Sequence, residues 1–315
     1  MSETSQLPEA SKRAGPDIDA DVIQKKKKKG SGANVQADEV VEAKPQDYVR
    51  IIPLRKQAQD DGPAGTVLLS KTDKAAQMQL GEDRLSVTGG KGYRTIRATH
   101  GMYEGSFYCE VKVTRLGDTG HCRLGWSSKK SEINAPVGFD AHGFSYRDLE
   151  GSKVHKALRE PYGEAYAEGD VIGLMLYMPP GGRPMERRMS EIVRYKGSLY
   201  HVDEGEEPPK PLVGSRVAFS KNGVYQGVAY EDVLEGTYYP SASLHTLPHQ
   251  IEGAMVTFNF GPMFSFPIPE VEQFPGLRPY SDLPNWLADV QAVPQPTAAG
   301  QSEQQQQQPP NGSGA

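Results

Sequence analysis

From residue 84 onward the chain alternates apolar and polar positions in short runs separated by turn residues. Arg84-Leu85-Ser86-Val87-Thr88 is one such run and Tyr93-Arg94-Thr95-Ile96-Arg97-Ala98 a second. Phe107-Tyr108-Cys109-Glu110-Val111-Lys112-Val113 is a third. A two-residue period sends successive side chains to opposite faces, so one face is buried while the other meets water. Further strands are predicted over 122–126, 143–146, 171–177, 216–219, 224–229, 239–244 and 255–260. Lys221-Asn222-Gly223 lies between two of them, and Asn-Gly accepts the positive φ angles of a tight type I′ hairpin. No long run with a helical period interrupts the region. Many short antiparallel strands without crossover helices predict an all-β fold, an antiparallel two-sheet β-sandwich.

The pattern changes at both ends. Residues 1–61 are poor in aromatics, rich in Ser, Ala, Asp and Lys, and carry no sustained apolar period, so a disordered tail is expected there. Within it lies the run Lys25-Lys26-Lys27-Lys28-Lys29. Such a run is either a solvated linker or an element of nuclear import or nucleic-acid contact. Residues 294–315 are rich in Pro, Gln, Gly and Ser, with glutamine at every position from Gln304 to Gln308, and read as a second disordered tail. The sandwich is expected over 62–280. It is interrupted at 178–215, where Pro179-Pro180-Gly181-Gly182 and Glu204-Gly205-Glu206-Glu207-Pro208-Pro209 suit a mobile insertion with one short piece, 192–195, able to pair locally. Between sandwich and tail, residues 281–293 predict a short amphipathic helix. Leu283, Trp286, Leu287 and Val290 fall at i, i+3, i+4 and i+7, with Ser281 or Asp282 to cap its start and Pro294 to stop it.

The abundance of glycine (34) and proline (25) suits a turn-rich β protein. A formal net charge of −5 excludes a general polyanion binder, so any nucleic-acid contact must be local. No segment reaches eighteen apolar residues and the opening is polar, so a soluble intracellular protein without membrane contact is expected. Two cysteines, Cys109 and Cys122, are too few for a disulfide framework or a zinc module. Cys109, in an apolar run, reads as a buried thiol.

Catalytic signals are lacking. Gly89-Gly90-Lys91-Gly92 does not make a phosphate loop, because no Ser or Thr follows the lysine and a strand follows the turn. His100, His121 and His155 stand alone, without metal-ligand spacing. There is no Gly-x-Ser-x-Gly elbow and no His-Glu-x-x-His helix. No catalytic residue, metal or cofactor is expected.

Four segments, in order, carry a resemblance to the SPRY (B30.2-like) domain. They are Gly105-Ser106-Phe107-Tyr108-Cys109-Glu110-Val111, Arg123-Leu124-Gly125-Trp126-Ser127, Gly169-Asp170-Val171-Ile172-Gly173 and the hairpin from Lys221 to Tyr230. A narrower set is similar to the Ash-type trithorax-group subunits of COMPASS-like complexes, which methylate histone H3 on lysine 4. That set is Gly90-Lys91-Gly92-Tyr93, Arg97-Ala98-Thr99-His100-Gly101, Ala135-Pro136-Val137-Gly138-Phe139-Asp140 and Asn259-Phe260-Gly261-Pro262.

The resemblance implies a nuclear chromatin regulator that is no methyltransferase itself. It holds a short acidic and apolar segment of a WD40-repeat subunit, and together they activate a SET-domain methyltransferase. The implied partner surface falls on Tyr93, Arg123, Pro136, Phe139 and Arg147, where two guanidinium forks can grip carboxylates over an apolar floor. It also implies that Leu283, Trp286, Leu287 and Val290 dock into a Dpy-type helical dimer; the other fate of that apolar stripe is to pack back on the sandwich. The Lys25–Lys29 run, read from its charge alone, suits import or contact with nucleosomal DNA.

Departures from the family pattern are visible. Phe139 stands where the family usually has Tyr, and Asp148 and Glu150 where animal members carry Ser and Lys, so the patch is less basic. Nothing matches the winged-helix and zinc-finger region of animal members, so DNA reading by a folded module is not expected. The rival reading is a SPRY adaptor for another nuclear assembly, such as a ubiquitin ligase. Such adaptors normally carry a RING finger, B-box or cullin-binding box, and none is visible.

Overall fold

The structure, a computed structural model, describes residues 65–184 and 208–284 in full. It also describes the backbone of four further strands, Val22–Gln24, Tyr48–Pro53, Met189–Tyr195 and Ser198–Asp203. Two antiparallel sheets face each other, as the alternation predicts. The first runs in the order Leu158–Glu160, Lys153–His155, Gly143–Arg147, His121–Ser127, Tyr239–His245, Arg94–Ala98 and Leu69–Lys74. The second runs Val224–Glu231, Arg216–Lys221, Val171–Met178, Gly105–Arg115, Ala254–Asn259, Ser86–Gly89 and Gln79–Leu80. A two-residue piece, Arg278–Pro279, adds to Gly105–Arg115 in parallel.

The two-residue period decides what enters the core. Phe107, Cys109, Val111 and Val113 point between the sheets, where they meet Cys122, Leu124 and Trp126 of the facing strand. Their neighbour Tyr108 points the other way and joins Met175, Ala218 and Phe274 in a second, smaller apolar cluster under the C-terminal segment. Glu110, also on that outer face, is buried because its carboxylate accepts the backbone N–H groups of Ser265 (2.8 Å) and Phe266 (3.0 Å). The Asn-Gly hairpin forms with Lys221 opposite Val224, and Asn222 (φ 50°) and Gly223 (φ 81°) take the left-handed conformations that a type I′ turn requires.

The core is closed at one end by Tyr280. Its ring is fully buried against Phe107, Trp126 and Phe260, and its hydroxyl donates to the His100 carbonyl at 2.9 Å. This plug corrects the expected start of the C-terminal helix. Tyr280–Asp282 is a single 3-10 turn, and Leu283 leaves it in an extended conformation (φ −59°, ψ 124°). Leu283 is only 9% exposed and belongs to the sandwich core, so it is not free to fill a partner's groove. Trp286, Leu287 and Val290 lie outside the described residues, as does the rest of 285–315.

Two further expectations are corrected. Tyr48–Pro53, within the stretch read as disordered, is a strand; Val22–Gln24 pairs with it on one side. On its other side Tyr200 lies opposite Pro53, in a hairpin formed by Met189–Tyr195 and Ser198–Asp203 inside the stretch read as a mobile insertion. Tyr-Val-Arg-Ile-Ile is rich in β-branched and aromatic residues, but its partner is remote in sequence and no local pattern announces it. The base of the insertion is also held: Arg183 forks onto Glu235 (2.6 and 3.2 Å), and the Thr237 N–H donates to the Pro184 carbonyl at 3.2 Å. The Arg183 hydrogen bonds pull the Glu235 carboxyl down to about 2.

Candidate functional site

The outward residues of the first sheet are small or cationic. Along His121–Ser127, Leu124 and Trp126 face the core, so Arg123, Gly125 and Ser127 face out. Register places Ser243 and Arg147 on either side of Arg123, and Ser241 and Ser145 on either side of Gly125. Most of this polar face is nonetheless buried, because residues 128–142 fold over it. Serine hydroxyls supply the hydrogen bonds that a covering backbone needs. The Val137 N–H donates to Ser243 Oγ (3.1 Å), and Ser145 Oγ donates to the Val137 carbonyl (2.8 Å). Thr95 Oγ1 donates to the Ala135 carbonyl at 2.6 Å. Gly138 sits at φ 83°, where any Cβ would collide with the Val154 carbonyl. That close approach lays the tip from Pro136 to Phe139 against the sheet.

Arg97 anchors the base of this loop. Its guanidinium is buried and donates to Ser127 Oγ (2.9 Å), to the Ser131 carbonyl (2.6 Å) and to Asp73 Oδ1 (2.6 Å). Sequence pattern alone makes Arg97 an ordinary outward strand residue. Its role appears only once the loop is seen to cover that face.

The five predicted surface residues occupy one region. Arg123 and Arg147 are Cα partners on adjacent strands, and the Arg123 guanidinium lies over the Tyr93 ring, 5.1 Å from its centroid. Pro136 and Phe139 form the tip of the covering loop, joined by the Phe139 N–H donating to the Pro136 carbonyl at 3.0 Å. Phe139 is 52% exposed, whereas Arg123 is only 7% exposed. Burial pulls the Arg123 pKa down, partly offset by Tyr93, yet a guanidinium remains charged in water's pH range. Burial likewise raises the Tyr93 phenol, so it stays a neutral hydrogen-bonding group. The Nε atoms of both Arg123 and Arg147 are buried without a hydrogen-bond partner.

Sequence reasoning missed the polar side of this region. Tyr93 packs on His245 (4.9 Å between centroids), His245 stacks on His121 (6.2 Å), and His121 Nδ1 meets Asp148 Oδ2 at 2.7 Å. His121 looked isolated because His245 reaches it only through strand pairing. Burial and the neighbouring His121 lower the His245 pKa. Glu150 approaches Arg147 at 4.0 Å from an exposed position. The arrangement is a half-desolvated cationic centre on an aromatic floor, with an exposed apolar lip. It can seat a carboxylate and an apolar side chain side by side, and it holds no nucleophile–base pair.

Elsewhere the described residues offer little chemistry. Cys109 and Cys122 are buried and their thiols are pushed well up by burial, which makes them poor nucleophiles. No three His, Cys, Asp or Glu side chains among the described residues gather as a metal site. No helix among them is long and apolar enough to cross a membrane. A cleft of about 520 Å³ lies on the other side of the sandwich, lined by Ile268, Val271, Phe274 and Leu277 of the C-terminal segment. Lys25–Lys29 lie outside the described residues.

The SPRY domain family matches residues 106–181, which run from the central strand of the second sheet through the covering loop and arginine strands to Val171–Met178. The Set1/Ash2 histone methyltransferase complex subunit ASH2 of Drosophila melanogaster is 38% identical over 211 residues, 64% of this chain and 37% of that protein. The Set1 complex component ash2 of Schizosaccharomyces pombe is 29% identical, again over 64% of this chain and 37% of its own length. The chain thus spans well under half the length of these relatives. A solved SPRY domain of human HERC1 aligns over 62% of this chain and 99% of its own, with 16% identity and a TM-score of 0.45.

Proposed function

We propose that this chain, which carries a SPRY domain and is homologous to Ash2-type subunits of Set1 complexes, is a non-catalytic scaffold and activator in a nuclear histone H3 lysine 4 methyltransferase complex. Its SPRY domain holds an acidic and apolar segment of the WD40-repeat subunit, and that union supports the SET-domain methyltransferase. The observation that carries the reading is the pair Arg123 and Arg147, directly opposed, short of hydrogen bonds at Nε, and flanked by Tyr93 and the exposed Phe139. Two like charges side by side cost stability unless an anion arrives between them. Asp148 is tied to His121, which leaves the two guanidinium groups as the binding elements.

Beyond the sandwich, Trp286, Leu287 and Val290 are assigned to docking on a Dpy-type helical dimer, without Leu283. The Lys25–Lys29 run is assigned to nuclear import with a weak nucleosomal DNA contact. A tagged pull-down from nuclear extract, read by mass spectrometry, tests the whole assignment. Recovery of a SET-domain protein and a WD40 protein is expected, with Trp286→Ala losing only the Dpy-type protein. Recovery of a cullin or RING-type ligase in their place would instead make the chain a SPRY adaptor.

A further inference from the structure

We infer that Arg159, on the outermost strand of the first sheet, is a third cation of the partner surface and reads a second acidic residue in the bound segment. The inference rests on the reading of Arg123 and Arg147 given above. Register places it: Arg159 pairs with Val154, Val154 pairs with Ser145, and Ser145 points to the outer face, where it donates to the covering loop. Residues directly opposite share a face, so Arg159 projects on the side that carries Arg147 and Arg123.

Its surroundings leave it available. Arg159 is exposed and has no ion-pair or hydrogen-bond partner among the described residues, while the adjacent Glu160 is taken by Lys153 at 3.2 Å. Glu150 leans on Arg147 instead. Arg147 and Arg159 both count among the positive charges that oppose the charged form of Arg123, so both lie within electrostatic reach of it.

Spacing then defines the ligand. Two strand separations and a two-residue offset put Arg159 roughly 12 Å from Arg147, the reach of about four extended residues. The fitting partner is an extended acidic segment with one carboxylate between Arg123 and Arg147 and another about four residues away. The buried Arg123 and half-buried Arg147 grip, whereas an exposed rim charge mainly speeds encounter.

The test is stopped-flow binding of the full chain to the intact WD40-repeat subunit, at low and at physiological salt. Arg159→Gln is expected to slow association about three- to tenfold at low salt, leave dissociation unchanged and weaken the salt dependence, with Arg159→Lys restoring most of the rate. Arg123→Ala is expected to speed dissociation instead. If Arg159→Gln associates like wild type while Arg123→Ala dissociates faster, the inference fails and the underlying reading stands. If neither variant differs from wild type, the underlying reading fails and this inference with it.

Discussion

Arg123 and Arg147 lie directly opposite each other on neighbouring antiparallel strands, with both Nε atoms buried and unpaired. Like charges in that position work against the sheet by something like 0.5 kcal/mol. Neutralising one should therefore relax the fold. Arg147→Gln keeps part of the stem and removes the charge, and its melting temperature is expected to equal or exceed wild type by up to about 2 °C. A fall of more than about 3 °C would show that the arginine serves the fold and not a ligand.

Arg97 is expected to behave in the opposite way. Its buried guanidinium ties Asp73, Ser127 and the Ser131 carbonyl together, and one oxygen of Asp73 already lacks a hydrogen-bond partner. Arg97→Ala leaves these groups unpaired and should cost about 3 kcal/mol in chemical denaturation. Hydrogen exchange should quicken in residues 128–142, the loop that carries Pro136 and Phe139. Unchanged exchange in that loop would remove Arg97 from the list of residues that position the surface.

Burial lowers the pKa of His155 and of His245 from 6.5, with Lys156 and His142 opposing the charge of His155 further, and His121 that of His245. Each binds a proton more weakly when folded than when unfolded, so the unfolded chain takes up more protons in this window and stability rises with pH. The contribution is complete above 6.5 and is lost as pH falls through 6.5 toward the folded-state values. His155→Phe preserves the stack on Phe144, and the drop in melting temperature between about pH 7.5 and pH 5.5 should be smaller than in wild type. Equal drops would mean that His155 titrates alike in both states.

Replacing Lys25–Lys29 by glutamine should shift the protein toward the cytoplasm, read by imaging of a tagged chain. If the run also touches nucleosomal DNA through five phosphate contacts, binding should show a log–log salt slope of about −4 to −5, which the substitution flattens. Unchanged distribution and unchanged nucleosome affinity would leave the run as a solvated linker.

Local pattern carried the sandwich well and its supports poorly. The period in Phe107–Val113 announces which side chains enter the core, and Asn222-Gly223 announces its hairpin, because both signals are complete within a few residues. The strand Tyr48–Pro53 was hidden because its partner begins at Ser198, and the polar tracts around both dominate the composition. The proposed partner surface was legible only through resemblance. Alternation places Arg123 outward, but nothing local shows Arg147 opposite it, His245 beside His121, or a loop over Arg97 that turns an outward arginine into a buried anchor. Leu283 shows the reverse failure: its helical spacing was real, yet the Tyr280 plug draws it into the core.

The central claim is that Arg123 and Arg147 seat an acidic segment of the WD40-repeat subunit. Isothermal titration calorimetry of the purified chain against that subunit tests it most directly. Removing one side of a desolvated, charge-assisted contact costs about 2 kcal/mol or more, so Arg123→Ala and Arg147→Ala should each weaken binding by a factor of about thirty. Both should melt within a few degrees of wild type, by the argument from their opposed charges. Wild-type affinity in both variants would contradict the account.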